Sequence, residues 1–483
     1  MKEDTYGYDS YLSPFTWRYG SDAMKKLFSE THRRASWRRV WLSLAEAEAE
    51  LGLLSSEELQ AIRKSAGEKS VDIAKAHEIE RKIKHDLMAE LRVFADQARE
   101  GGGKLHLGAT SMDIEDNADV LIFSDALDLV LGRLVSCLDA AAARVRRHKG
   151  LVCMGWTHLQ PAEPTTMGYR FANYAQDIVL DIKLVDLLRK DFIKGKGIKG
   201  AVGTSASFKK LIGSASKVHG LEEDVMSDLG LGYFDVSTQT YPRKLDYLIL
   251  AALASVAASC AKFGLDLRIL QSPTFGELSE PIEESQVGSS AMPFKRNPVT
   301  AERMCSLARV VSVMPLVAFM NASSSILERT LDDSAARRVS IPEAFLAIDE
   351  CLAIYERLMR GLRVYPAMIV KNLEKFGVFA GTEAVMMELV EKGADRQDMH
   401  ELIRVISFAA WESVMKGEPN PLERMLSEDK VISSKLTKRR IEVLLDPLAH
   451  AGYAKESCEE FLKNVVSPVL KSHRRIGRAK VEY

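Results

Sequence analysis

Apolar side chains recur at three- and four-residue spacing through nearly the whole chain, and that period predicts helices. The pattern places them at 37–51, 73–98, 115–148, 167–192, 243–270, 298–322 and 342–362. The stretch 115–148 contains no proline, so nothing in it forces a break. Within 243–270, LDYLILAALASVAASCAKFGLDL is apolar on most faces. A helix of that kind is buried all round, which predicts the centre of a helical bundle that subunits can share. Strand signals are sparse: there are no alternating runs with hairpin turns and no fixed-period repeat. Breaks fall at Gly101-Gly102-Gly103, at 195–203 and at Tyr365-Pro366. The first and last of these set the expected domains: an N-terminal helical domain (1–111), a central long-helix bundle (112–364) and a C-terminal helical domain (365–483). The expected fold class is all-α.

Length agrees, since 483 residues suggest about three domains. Hydrophobic residues at 46% and charged residues at 28% are ordinary for a chain with a sizeable core. The 66 basic and 67 acidic side chains leave a net charge of −1. That argues against a general binder of nucleic acid or anionic membranes, though a local basic pocket for a small anion is compatible with it. Cys137, Cys153, Cys260, Cys305, Cys351 and Cys458 form no CxxC pair and read as reduced, buried thiols. The N-terminal MKEDTYGYDSYLSPF has no apolar signal core. The longest apolar stretch, near 248–261, is too short and interrupted for a membrane span. A cytoplasmic protein is the expectation. HExxH, paired Cys/His spacing, an EF-hand loop and GxGxxG after a strand are all missing, so no metal and no cofactor is expected.

The candidate chemistry is concentrated in a few polar segments. In SQVGSSAMPFKRNPVTAER, residues 285–303, Pro293 and Pro298 oppose helix at the residue before each, and Gly288 permits angles closed to other residues. This predicts a loop ending where Pro298 starts a helix. Lys295 supplies charge, Asn297 supplies hydrogen bonds and the serines can trade protons, a set suited to a developing anion; an exposed basic turn has the same composition. Lys104 to Ser111, KLHLGATS, lacks the P-loop ending and reads locally as a capped helix start with Ser111 or Asp113 as the cap. Thr157 to Thr166, THLQPAEPTT, is a polar loop whose His158 is either an acid–base group or a surface histidine. Lys84-His85-Asp86 reads as an exposed helix face. Gln239, in STQTY before the apolar helix, offers a two-ended hydrogen-bonding anchor. In ERTLDDSAARR, 328–338, Arg329, Arg337 and Arg338 with Ser334 suit a phosphate, unless Glu328, Asp332 and Asp333 neutralise them.

Taken together and in this order, GATSMDIEDN, TxxQPAxPTT and GSSAMPFKRNP resemble the dispersed signature of the fumarase/aspartase superfamily. The form GSSAMPxKRNP, with STQTYPRK and ERTLDDSAARR, is similar to the adenylosuccinate lyases of the animal type. The resemblance runs from Arg18-Tyr19 through Arg338 and into the C-terminal region. It implies a three-domain, nearly all-α protomer in a homotetramer, with each active site assembled from three subunits. It also implies β-elimination of fumarate from a small-molecule nucleotide, adenylosuccinate or the succinylcarboxamide ribotide of purine synthesis. In that pattern Ser289 is the base, His158 the acid, and Lys295 stabilises the anion. Glu302 orients the histidine and His85 binds or orients substrate. Thr110, Ser111 and Gln239 match carboxylate-holding positions, with Asn297 in the anion-stabilising loop. Arg18, Tyr19, Arg329, Ser334 and Arg338 match positions around the nucleotide and its phosphate, and Lys84, Asp86 and Arg303 match further substrate contacts. Phe294, Lys84 and Ala336 depart from the residues common there, tyrosine, arginine and asparagine; none of these changes removes an acid, base or charge. The rival readings are a lyase of the same superfamily acting on argininosuccinate or malate, and a catalytically retired structural protein on this fold.

Overall fold

A computed structural model describes residues 7, 9–281, 291, 292 and 294–473. Ser289 therefore lies outside the described residues. The chain is built from long helices: α1 (Glu30–Glu50), α2 (Ile73–Ile83), α3 (Asp86–Ala98), α4 (Ser111–His148), α5 (Met167–Leu187), α6 (Lys244–Gln271), α7 (Val299–Ser323), α8 (Asp333–Gly361), α9 (Pro366–Phe376) and α10 (Arg396–Met415). The expected all-α class holds.

Side-chain pairs fix how the helices run. Arg337 reaches Asp119 at 3.0 Å, Arg133 reaches Asp349 at 3.1 Å and Arg144 donates to the carbonyl of Met359 at 2.6 Å. So α4 and α8 run parallel. Arg243, just before α6, bonds both Asp116 at 3.0 Å and Asp333 at 2.7 Å, which puts the start of α6 beside the starts of α4 and α8. Tyr174 donates to Asp266 at 2.8 Å and Ser255 to Asp181 at 3.0 Å, so α5 runs against α6. Tyr247 packs on Phe319, and Gln271 Nε2 donates to the carbonyl of Arg296, so α7 also runs against α6. The bundle has a head, where α4, α6 and α8 begin, and a tail, where α4 and α6 end and α5 and α7 begin.

Three buried clusters form the interior. The largest joins α4 to α8 and also takes in Cys458, Leu462 and Val466. A second packs α1 and α3 against Ile198, Phe208 and the helix bearing Leu221 and Val225. A third lies around Leu389, Ile403, Ala410 and Ile441. All six cysteines are buried and unpaired. By length and composition α6 and α7 could each cross a membrane, although half of the apolar window of α6 is buried in the bundle.

Several elements depart from the sequence pattern. The helix expected over 73–98 breaks in two because Lys84 takes a left-handed φ of 59°, closing α2, and His85 caps α3. The triplet Lys84-His85-Asp86 is thus a corner, not a helix face. The cap of α4 is Thr110, one residue before the expected Ser111. Its amide donates to Asp113 at 2.8 Å in a capping box, which satisfies two otherwise orphaned groups. The helix expected from Pro342 begins nine residues earlier, at Asp333, and holds Pro342 in its interior. Pro298 precedes α7 instead of starting it; Glu280 accepts from the amides of Thr300 and Ala301.

Glu48 on α1 is 1% exposed, and one of its carboxylate oxygens has no partner. Burial pushes this carboxyl up to about 8. The folded chain then holds a proton that the unfolded chain releases above the ordinary 4.5. The contribution is fully present below that value and is lost as pH rises through 8, amounting to a few kcal/mol. Thermal unfolding at pH 6 and 9 should show a smaller loss of Tm for Glu48→Gln than for the parent chain.

Candidate active site

The residues singled out by sequence fall at separate places along the bundle. At the head, the capping box of α4 presents Thr110 and Ser111. The Nδ1 of His85 accepts from the amide of Met88 at 3.4 Å, which leaves Nε2 to carry the proton towards Ser111 Oγ, 3.5 Å away. Asp86 holds Arg338 at 2.5 Å. Desolvation would raise the Asp86 carboxyl, but the Arg338 guanidinium outweighs it and keeps the group below its ordinary value. Arg329 bonds Asp333 at 2.9 Å. Gln239 donates from its side chain to the carbonyl of Ala201 at 3.1 Å, and its amide donates to the carbonyl of Glu328 at 3.2 Å. The 328–338 segment is therefore both things its composition allowed. Arg337 is neutralised internally by Asp119 and Asp246, whereas Arg338 stays at the surface with a single carboxylate.

This head is braced by charges that periodicity alone does not flag. Asp113 accepts from Lys196 and from the amides of Lys199 and Gly200 at 3.0 and 3.1 Å. Asp116 accepts from the amide of Tyr241 at 2.8 Å and pairs with Arg243. The signal was present: acids at 113, 116 and 119 recur at helical spacing in a stretch whose helix must pack against the bundle, and a buried charge must be paired.

At the tail, the segment expected as a plain loop is a β-hairpin, β1 (Val152–Thr157) and β2 (Gln160–Thr166), paired antiparallel. Its two-residue turn is His158-Leu159, with φ of 54° and 60°. Such turns favour Asn-Gly, and two side-chain-bearing residues there carry strain of a kind found at functional sites. The turn leaves His158 exposed at the tip. Lys295 is exposed, with its amide donating to the carbonyl of Met292 at 3.0 Å, and Asn297 is half-buried. Glu302 and Arg303 lie exposed on the first turn of α7, with Glu302 4.0 Å from Arg268 near the end of α6. Arg18 and Tyr19 lie between the ends. The amides of Gly20 and Ser21 that follow them donate to Glu350 and Asp349 at 3.1 and 2.7 Å, midway along α8. The Arg18 guanidinium lies 5.9 Å from the Tyr19 ring.

Head and tail are far apart. With 38 residues in α4 and 28 in α6, their lengths are about 57 and about 42 Å. Ser111 and Gln239 are at one end of these helices, His158 and Lys295 at the other. One protomer therefore does not bring the two groups together.

Comparison with known proteins decides the family. Residues 17–312 match the family described as Lyase, and 379–461 match Adenylosuccinate lyase C-terminus. The adenylosuccinate lyase of Saccharomyces cerevisiae is 39% identical, with 97% of each chain covered. That of Schistosoma mansoni is also 39% identical over 97% of each chain. The chain belongs to the adenylosuccinate lyase family. The relative from Pyrococcus horikoshii is 36% identical, covering 96% of this chain and 99% of its own. Among solved structures, the 3-carboxy-cis,cis-muconate lactonizing enzyme of Pseudomonas putida matches with a TM-score of 0.82 at 24% identity, covering 96% and 99% of the two chains. A fumarate lyase from Mesorhizobium gives 0.80 at 24%, with 96% and 99% covered. These last two show the shared fold.

Proposed function

We propose that this carbon–nitrogen lyase eliminates fumarate from adenylosuccinate, giving AMP, and from the succinylcarboxamide ribotide of purine synthesis. Its sites are assembled from the head of one copy and the tails of others in a homotetramer. The observation that carries the shared site is the separation of Ser111 and Gln239 from His158 and Lys295 by the length of α4 and α6. A second observation supports assembly: Val310, Val313, Leu316, Phe319 and Met320 line one exposed face of α7 at three- and four-residue spacing. Contiguous apolar surface of that kind marks an interface.

Elimination removes a proton from a carbon next to a carboxylate. Such a carbon is very weakly acidic, so the resulting aci-carboxylate needs fixed charge and donors. In this reading Ser289 takes the proton, with Lys295 and Asn297 facing the anion. The electron pair then expels the nitrogen, and His158 protonates it as the carbon–nitrogen bond breaks. Glu302 of another copy fixes the imidazole, as a carboxylate does in other enzymes. Thr110, Ser111, His85 and Gln239 hold the succinyl carboxylates. Ser334, Arg329 and Arg338 hold the phosphate, and Arg18, Tyr19, Lys84, Asp86 and Arg303 line the nucleotide.

Incubation of the purified chain with adenylosuccinate should give an ultraviolet change towards AMP with fumarate released in equal amount. Argininosuccinate and malate should remain unchanged. Turnover of either control instead of adenylosuccinate would overturn the substrate, and silence on all three would favour a retired enzyme.

A further inference from the structure

Glu115 lies one helical turn along α4 from Ser111 and on the same face, because side chains four apart align. It lines a cavity of about 130 Å³ together with Asp119, Ser334, Arg337, Arg338 and Arg33. The other charges facing this cavity are engaged. Arg33 on α1 pairs with Glu30 at 2.5 Å. On α8, Arg337 pairs with Asp119 and Asp246, and Arg338 with Asp86. Among the described residues, the Glu115 side chain has no hydrogen bond and no ion pair. A carboxylate there would meet Asp86 at the start of α3, and Asp119 and Asp116 from α4 itself, with Arg338 opposing them.

We propose that Glu115 is a positioning residue for the phosphate end of the nucleotide, a neutral carboxyl that donates a hydrogen bond to a phosphate oxygen held by Ser334 and Arg338. The inference rests on the assignment of Ser334 and Arg338 to the phosphate. Arg338 already carries one carboxylate, that of Asp86, so an arriving phosphate dianion shares its cation with an anion. A second ionised acid on the cavity wall would repel the dianion, whereas a protonated one offers it a donor. Burial, reinforced by Asp86, Asp119 and Asp116, pushes the Glu115 carboxyl up to about 8, so it holds its proton at neutral pH. Raising the pH past 8 removes that proton in the empty protein, and the bound dianion draws it back. Binding above 8 therefore takes up a proton, and affinity falls by up to about tenfold per pH unit. A nucleotide phosphate, with its second ionisation near 6, is already a dianion across this range.

The test is calorimetric titration of the full chain with AMP at pH 7 and 9, each in two buffers of different ionisation enthalpy. For the parent chain the expected result is roughly tenfold weaker binding at pH 9, with proton uptake there. Glu115→Gln keeps a donor and should bind with the same affinity at both pH values, without proton uptake. Glu115→Ala should bind more weakly than the parent at pH 7 but equally weakly at pH 9. If Glu115→Gln retains the parent's weakening and proton uptake, Glu115 is not the linked group and the proposal fails. Arg338→Gln separates the two levels. Loss of AMP affinity in that variant upholds the phosphate assignment whatever Glu115 does, and unchanged affinity overturns both.

Discussion

Replacing His158 by Gln should lower kcat by about two to four orders of magnitude, the range for losing a general acid, with the helical circular dichroism unchanged. The structure makes this a clean experiment. His158 is exposed at the tip of the β1–β2 turn, so truncating it removes no core packing, and its positive φ is a cost the fold bears in the parent chain. Lys295→Ala should cost about two to three orders, as for other donors aimed at a developing anion, since Lys295 is likewise exposed. Turnover close to the parent in His158→Gln would remove it as the acid, and the same result in Lys295→Ala would remove the stabilising role of that charge.

Charging the exposed face of α7 should abolish assembly and, with it, activity. Val313→Glu combined with Leu316→Glu places two carboxylates at positions 59% and 56% exposed in the protomer. The protomer itself tolerates them because they face water. Burying them against another copy would leave unpaired charges in an interface, at a cost of several kcal/mol each. Sedimentation should show a folded monomer with kcat reduced by at least about a hundredfold, because head and tail residues no longer meet. A fully active monomer would refute the shared site, and an intact tetramer would place the interface elsewhere.

Much of this was written in the order of side chains. The run 243–270 reads as buried all round because almost every face is apolar; in the protomer half of that apolar window is buried, where α6 packs on α5, α7 and α8. The long proline-free stretch after 115 became α4. The hairpin was hidden because Pro161 and Pro164 interrupt β2, its residues do not alternate, and its turn is His-Leu where Asn-Gly is the usual signal. Lys84 gave no warning of a helix break because a left-handed φ at a lysine has no compositional mark. Thr110 and Ser111 are both good caps, and only the bond from Thr110 to Asp113 distinguishes them.

The candidate site could be read from the sequence as a list of residues but not as a place. The polar motifs identified Ser111, Gln239, His158 and Lys295 because each combines charge or hydrogen-bonding capacity with a break in the helical pattern. Their separation depends on the directions of α4, α6 and α8. Those directions are set by pairs such as Arg243 with Asp333 and Arg133 with Asp349, 90 and 216 positions apart along the chain, which no local pattern can reveal. Glu115 escaped notice because one acid in an acidic run on a helix usually faces water; its cavity is closed by residues of α1 and α8.

The most direct test of the central claim is to mix two inactive variants, one altered at the tail and one at the head. His158→Gln and Gln239→Ala would be dissociated together, reassembled, and assayed for AMP and fumarate. If sites are shared, random mixing restores about a quarter of the sites with both parent residues, and activity reappears to that extent. Continued inactivity, with mixed tetramers demonstrated by mass, would show that each protomer carries its own site and would contradict the account.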